Sequence, residues 1–193
     1  MDRKKDIKKY FENYTIRLNK LIQSVDVDKL TSVIEQMINA FKNNKTVYVC
    51  GNGGSAGDSQ HLAAEFVGRF VKDRPPIHSI SLTVDSSALT CISNDYSYDI
   101  LFQRQLQALG KPNDILIAIS TSGNSKNIIE VLKEAKKKGI ISLALLGKDG
   151  GKAKKFADKS IIIKNKKTSR VQEMHILIGH IICKIAEKEL IGG

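Results

Sequence analysis

The sequence predicts an α/β protein: a three-layer αβα sandwich built on a five-stranded parallel, Rossmann-like sheet, with two leading N-terminal helices. Three observations carry that reading. Short apolar runs alternate with helical patterns along most of the 193 residues, as strands joined by helical crossovers do. The strand runs are apolar nearly throughout instead of alternating, which is expected where helices cover both faces of a parallel sheet. The right-handedness of such crossovers then favours a doubly wound sheet.

Taken in chain order, leucines and isoleucines at helical spacing predict two amphipathic helices, at about 2–23 and 26–43. Apolar, β-branched runs predict strands at 46–50, 77–84, 114–119, 141–146 and 160–163. Helices are expected between them at 55–72, at 86–109 with a break near Asn94, at 125–138 and at 151–156, and a long last helix at 169–190. No repeat, linker or low-complexity tract interrupts this order. The expectation is one domain over 1–193, with 1–43 as a helical pair used in oligomerisation and 44–193 as the αβα core and C-terminal helix.

The net charge of +11 raises nucleic acid as a partner. Its quality argues otherwise: it comes from 25 Lys and only 6 Arg, widely spread, with few aromatics between them to stack on bases. Lys136–Lys138, Lys154–Lys155 and Lys166–Lys167 fall at expected helix ends or loops, where solvated lysine is the ordinary case. A mild positive field that attracts an anionic substrate is the better reading. No run approaches the ~18 apolar residues that span a bilayer. The opening MDRKKDIKKYFENY lacks the apolar core of a signal peptide, so a cytoplasmic protein without a membrane partner is expected. Cys50, Cys91 and Cys183 show no C-x-x-C spacing and read as reduced core residues.

The densest chemistry lies at Gly51-Asn52-Gly53-Gly54-Ser55-Ala56, between the strand ending at Cys50 and a helix start. Free N–H groups and the helix dipole converge there, which suits an anion. The spacing is neither G-x-G-x-x-G nor G-x-x-x-x-G-K-[ST], so the common nucleotide loops are absent. On the helix that follows, His61 and Glu65 stand at i and i+4 on one face. Glycines after a strand are often only a turn, and a His–Glu pair on a helix is often only solvated. Found together they favour an enzyme acting on a small phosphorylated molecule.

In a doubly wound sheet, ligands bind beyond the carboxyl ends of the strands. Ser93-Asn94-Asp95 and the hydroxyl-rich Ser120-Thr121-Ser122-Gly123-Asn124-Ser125 should meet the glycine loop there. Hydroxyls and amides at a helix start suit a phosphate monoester without Lys or Arg. On the last helix, Gln172 and His180 lie ~80° apart, Glu173 and His180 ~20°, and His175 and His180 ~140°. His180 sits among Ile176, Ile181 and Cys183, so periodicity alone leaves it between core histidine and site residue, with His175 the weaker site candidate.

Together, G-N-G-G-S-A at 51–56, Q-H-L-A-A-E at 60–65, S-N-D at 93–95, S-T-S-G-N-S at 120–125 and R-V-Q-E-M-H with His180 resemble the sugar isomerase (SIS) domain family, and within it the phosphoheptose isomerases. The resemblance covers nearly the whole chain. It implies an aldose–ketose isomerase that converts sedoheptulose 7-phosphate to D-glycero-D-manno-heptose 7-phosphate, at the start of bacterial heptose supply for surface polysaccharide. It places substrate on Asn52, Gly53, Gly54, Asn94, Asp95, Ser120, Thr121, Ser122 and Ser125, with Ser55, Glu65 and Gln172 facing the same molecule. It implies zinc on His61, Glu65, Gln172 and His180, and proton transfer by Glu65 and His180. It also implies a homo-oligomer, a tetramer with sites at subunit interfaces.

Geometry supports the sharing: Gln172 and His180 are ~12 Å apart along one helix, and side chains lean toward its N-terminus. The two would strain to reach one ion from a single copy. A binding protein of the same family, the DnaA initiator-associating protein, is the alternative. That relative lacks the residues matching Glu65 and His180, and this chain keeps both.

Overall fold

Five apolar segments pair into one parallel sheet, and their order decides where a ligand can sit. The computed structural model describes residues 3–191. Strands β1 (Val47–Gly51), β2 (Ser79–Ser81), β3 (Ile115–Ser120), β4 (Ile141–Gly147) and β5 (Lys159–Ile163) lie in the order β2-β1-β3-β4-β5. Every neighbouring pair is parallel. The order reverses between β1 and β3, whose carboxyl ends stand side by side through the pair Gly51 and Ile119. The crevice at that reversal is where ligands of such sheets bind.

Alternate residues feed two cores. Val47, Val49, Ile115, Ile117 and Ile119 face helices α2 (Val27–Lys42), α3 (Gly54–Val67) and α7 (Thr168–Ile191). Tyr48, Cys50, Leu116 and Ala118 face α4 (Ser86–Asp95), α5 (Leu101–Leu109) and α6 (Lys126–Lys138). All residues of β1 and β3 are buried, which is why their sequence runs apolar without alternation. Asp26 and Asp85 accept the amides of Lys29 and Ala88, at 3.0 and 2.9 Å, and so start α2 and α4.

The two leading helices differ. Helix α2 buries Leu30, Val33, Ile34, Met37, Ala40 and Phe41. Helix α1 (Arg3–Gln23) buries none of its side chains and leaves Tyr10 and Phe11 77% and 75% exposed. It is tied to α7 by Tyr14, whose hydroxyl donates to Glu173 at 2.8 Å and whose ring lies under Arg170. Arg170 and Glu173 are themselves an ion pair.

Several expected elements are shorter. The strand expected over 77–84 pairs only at Ser79–Ser81, at the edge of the sheet. The helix expected to 72 stops at Val67, because contacts far away in sequence hold the segment after Gly68 in another shape. The helix expected at 151–156 is one 3₁₀ turn, Ala153–Lys155, after two glycines with positive φ. Around Asn94 the break is real: α4 ends at Asp95, and a 3₁₀ turn at Tyr98–Ile100 leads into α5. Cys50 and Cys183 are buried free thiols, but Cys91 is exposed, on the outer face of α4, and so is no core residue. Among the described residues, no helix is long and apolar enough to cross a membrane.

Candidate active site

Two loops and one helix–helix seam meet at the carboxyl ends of β1 and β3. Gly53 precedes α3 at φ +57°, a conformation that only glycine adopts without strain, and no side chain caps the helix. The Ser55 and Ala56 amides bond the carbonyls of Asn52 and Gly53 at 3.0 Å, so the Gly54 amide is the one this turn leaves for a ligand. Ser55 is buried in that first turn. Across the crevice, Ser120 Oγ accepts the Gly123 amide at 3.1 Å and stands 3.4 Å from Ser125 Oγ. Ser125 opens α6 without capping it, so its hydroxyl points to Ser120 rather than along the helix. Ser122 Oγ accepts the Asn124 amide, and Thr121 and Ser122 are half-buried.

A lock that the sequence did not show joins the loops. Asn52 and Asn127 exchange two amide hydrogen bonds of 2.9 Å, and Tyr98 donates to Asn52 Oδ1 at 2.8 Å. Both ends of the Asn52 side chain are used, so it fixes the loop. Asn127, 1% exposed, follows Lys126 in the first turn of α6, and the strand order sets it opposite Asn52. Asn94 donates to Asp95 at 2.8 Å, at the exposed end of α4. The Asn94 amide, then the Cys91 thiol, hold the Asp95 carboxyl below its ordinary range. These two residues bond each other and Cys91, not the glycine loop.

The seam lies between α3 and α7. Gln172 faces Gly54, where any Cβ would collide with its amide nitrogen, and Gly179 faces Leu62. His61 faces His180. These pairings advance together, so the helices run parallel. A methyl on Gly179 would meet Leu62 Cδ2 at 2.5 Å, so the glycine sets how closely the helices approach. That approach brings His61 Nε2 to 2.9 Å from His180 Nε2 and 3.4 Å from Glu65 Oε1. The Phe70 ring packs tilted against His180 with ring centroids 5.5 Å apart. Asp58, one turn before His61, has an oxygen buried without a partner; burial pushes its carboxyl up, and His61 opposes that. His175 is the core histidine, 1% exposed, with neither ring nitrogen in a hydrogen bond. Burial pushes it down to about 4, although the backbone of Leu146 acts the other way.

Two imidazoles and a carboxylate suit zinc, and 2.9 and 3.4 Å bracket the ~3.3 Å ligand–ligand edge of a tetrahedron with ~2.0–2.1 Å bonds. Among the described residues, however, no group of three or more His, Cys, Asp and Glu is disposed to hold a metal ion. Gln172 lies two turns away at Gly54. One chain therefore offers fitting donors but an incomplete set.

A profile of the SIS domain matches residues 9–147. A phosphoheptose isomerase of Clostridium acetobutylicum is 54% identical over 86% of this chain and 85% of its own length. One from Sulfurimonas denitrificans is 50% identical over 98% of this chain and 95% of its own. The solved phosphoheptose isomerase of Neisseria gonorrhoeae superposes with a TM-score of 0.87 at 37% identity, covering 96% of this chain and 98% of that one.

Proposed function

The chain belongs to the SIS domain family, among its phosphoheptose isomerases, and we propose that it interconverts sedoheptulose 7-phosphate and D-glycero-D-manno-heptose 7-phosphate. The observation that carries this reading is the seam: Glu65 and His180 both converge on His61, about two turns along α3 from the hydroxyl-lined crevice at its start. Moving a carbonyl between C2 and C1 requires taking a proton from the carbon beside it and returning one to the neighbouring carbon. Glu65 is the base for that transfer, through an enediol. His180 moves the proton between the two sugar oxygens. Ser55, Ser120, Ser122 and Ser125, with the Gly54 amide and the first amides of α6, hold the phosphate.

Zinc is proposed on His61, Glu65 and His180, with Gln172 completing the set. When bound it would polarise the carbonyl and orient the sugar hydroxyls. A homotetramer with shared sites is proposed on two grounds. Helix α1 leaves Tyr10 and Phe11 exposed although Leu18 and Leu21 pack on the core, and Gln172 and His180 are too far apart on one helix to meet at one ion.

The test is NMR of sedoheptulose 7-phosphate with the purified protein, with and without chelator. Conversion in both arms leaves the chemistry to Glu65 and His180; conversion lost on chelation and restored by zinc supports the metal. No conversion in either arm, with zinc supplied, overturns the proposed activity.

A further inference from the structure

Beyond the groups that would touch substrate, a buried ion pair ties the two helices of the seam together below the site. Arg74 and Glu187 have side chains only 2% exposed each, with Arg74 Nε 3.9 Å from Glu187 Oε2. Arg74 donates to the carbonyl of Glu65 itself at 2.7 Å, and to those of Phe66 and Pro75 at 2.9 and 3.0 Å. It thereby satisfies the Glu65 carbonyl in the last turn of α3 and shares that of Phe66 with the Ile77 amide. Glu187 lies seven residues after His180, on the same face of α7, ~10.5 Å further along. Its carboxylate accepts the amides of Phe70, Val71 and Lys72 at 2.9–3.2 Å. Those bonds set the loop that lays the Phe70 ring against His180.

We infer that Arg74 and Glu187 are positioning residues, which hold Glu65 and the Phe70–His180 contact in register across the seam. The inference rests on the isomerase reading for its consequence in turnover. Burying an ion pair of this kind gains little stability over apolar packing, because two charges must be desolvated. What this pair does supply is geometry: one end of it grips the backbone of the proposed base, and the other grips the loop beneath the proposed acid. A misplacement of ~1 Å at reacting groups costs up to ~10²-fold in rate.

The test compares wild type with Glu187→Gln, Glu187→Asp and Phe70→Leu. A glutamine fills the same space but turns an NH₂ toward amide donors, so the loop shifts. Expected is a fall in kcat of ~10- to 100-fold with KM within ~2-fold. Glu187→Asp should regain part of the rate, because the charge returns. Independently of turnover, the His180 imidazole resonances, assigned among the four histidines, should move in Glu187→Gln as the Phe70 ring current is displaced. Phe70→Leu leaves the ion pair intact and should also lower kcat, which keeps the test open if Glu187→Gln does not fold.

A lower melting temperature with unchanged kcat and unchanged His180 resonances would make the pair a structural clamp only and overturn the inference. Unchanged kcat in Phe70→Leu would overturn it as well. Failure of the isomerase reading is a different result: wild type without turnover, while the His180 resonances still move in Glu187→Gln.

Discussion

Helix α7 carries two histidines five residues apart whose surroundings are opposite. His180 is half-buried, in tilted ring contact with both His61 and Phe70, with a nitrogen 2.9 Å from the His61 nitrogen. His175 is fully buried, with the Leu146 backbone at the end of β4 as the polar group beside its ring. One ring lies against a second histidine and the other is held neutral by burial. The difference is made by what each ring faces, not by the residue type, and it can be broken from either side.

The largest effect is expected on the wet side. Glu65→Gln keeps length and loses the basic oxygen, so kcat should fall by ~10²–10⁴-fold with a smaller change in binding. Near-normal turnover would remove Glu65 from the chemistry and leave the His61–His180 pair without its partner. At the loops that would hold the phosphate, Ser120→Ala with Ser125→Ala removes two hydroxyl donors, each worth ~1.5–3 kcal/mol toward a charged group. KM should rise by ~10²-fold or more by that measure, against a few-fold for Lys126→Ala, whose ammonium pairs with Asp99 at an exposed site. A larger loss from Lys126→Ala would refute phosphate binding by hydroxyls and amides.

On the dry side the readout is stability. His175 titrates near 4 when folded and ~6.5 when unfolded. Its folded value is depressed, so its contribution is complete above pH ~6.5 and is lost as pH falls toward 4, because the unfolded chain takes a proton that the native ring refuses. Denaturant titrations of His175→Leu should match or exceed wild type at pH 7 and lose less stability by pH 4.5, a gap on the order of 2 kcal/mol. Parallel losses would mean that the ring is not held neutral. Between the two rings, Gly179→Ala should push α7 off Leu62, lower stability by ~1–3 kcal/mol and reduce turnover by separating His61 from His180. An unchanged melting temperature would show that the seam has slack.

The contrast between the two rings also marks the limit of the sequence. Periodicity placed His180 among Ile176, Ile181 and Cys183 as a core candidate and left His175 on the opposite side; the packing reversed their surroundings, because α7 meets β4 on one side and α3 on the other. Continuous apolar runs made β1, β3 and β4 legible, since burial on both faces leaves that mark. The edge strand Ser79–Ser81 and the early end of α3 were not legible. The first pairs on one side only, and the second is imposed by Glu187, 115–117 residues further along the chain. The glycine and serine loops announced themselves by residue type, whereas Asn127, Tyr98, Arg74 and Glu187 act through partners that only the fold supplies.

The central claim is that Glu65 moves a carbon-bound proton at this seam. Incubation of wild type and Glu65→Gln with sedoheptulose 7-phosphate in deuterated water, followed by NMR of the recovered sugar phosphates, tests it most directly. Wild type should introduce deuterium at the carbon beside the carbonyl and form the aldose, and Glu65→Gln should do neither while still binding the sugar phosphate. Deuterium incorporated by Glu65→Gln at the wild-type rate would contradict the account. So would a wild type that binds a replication initiator tightly and leaves the sugar phosphate unchanged.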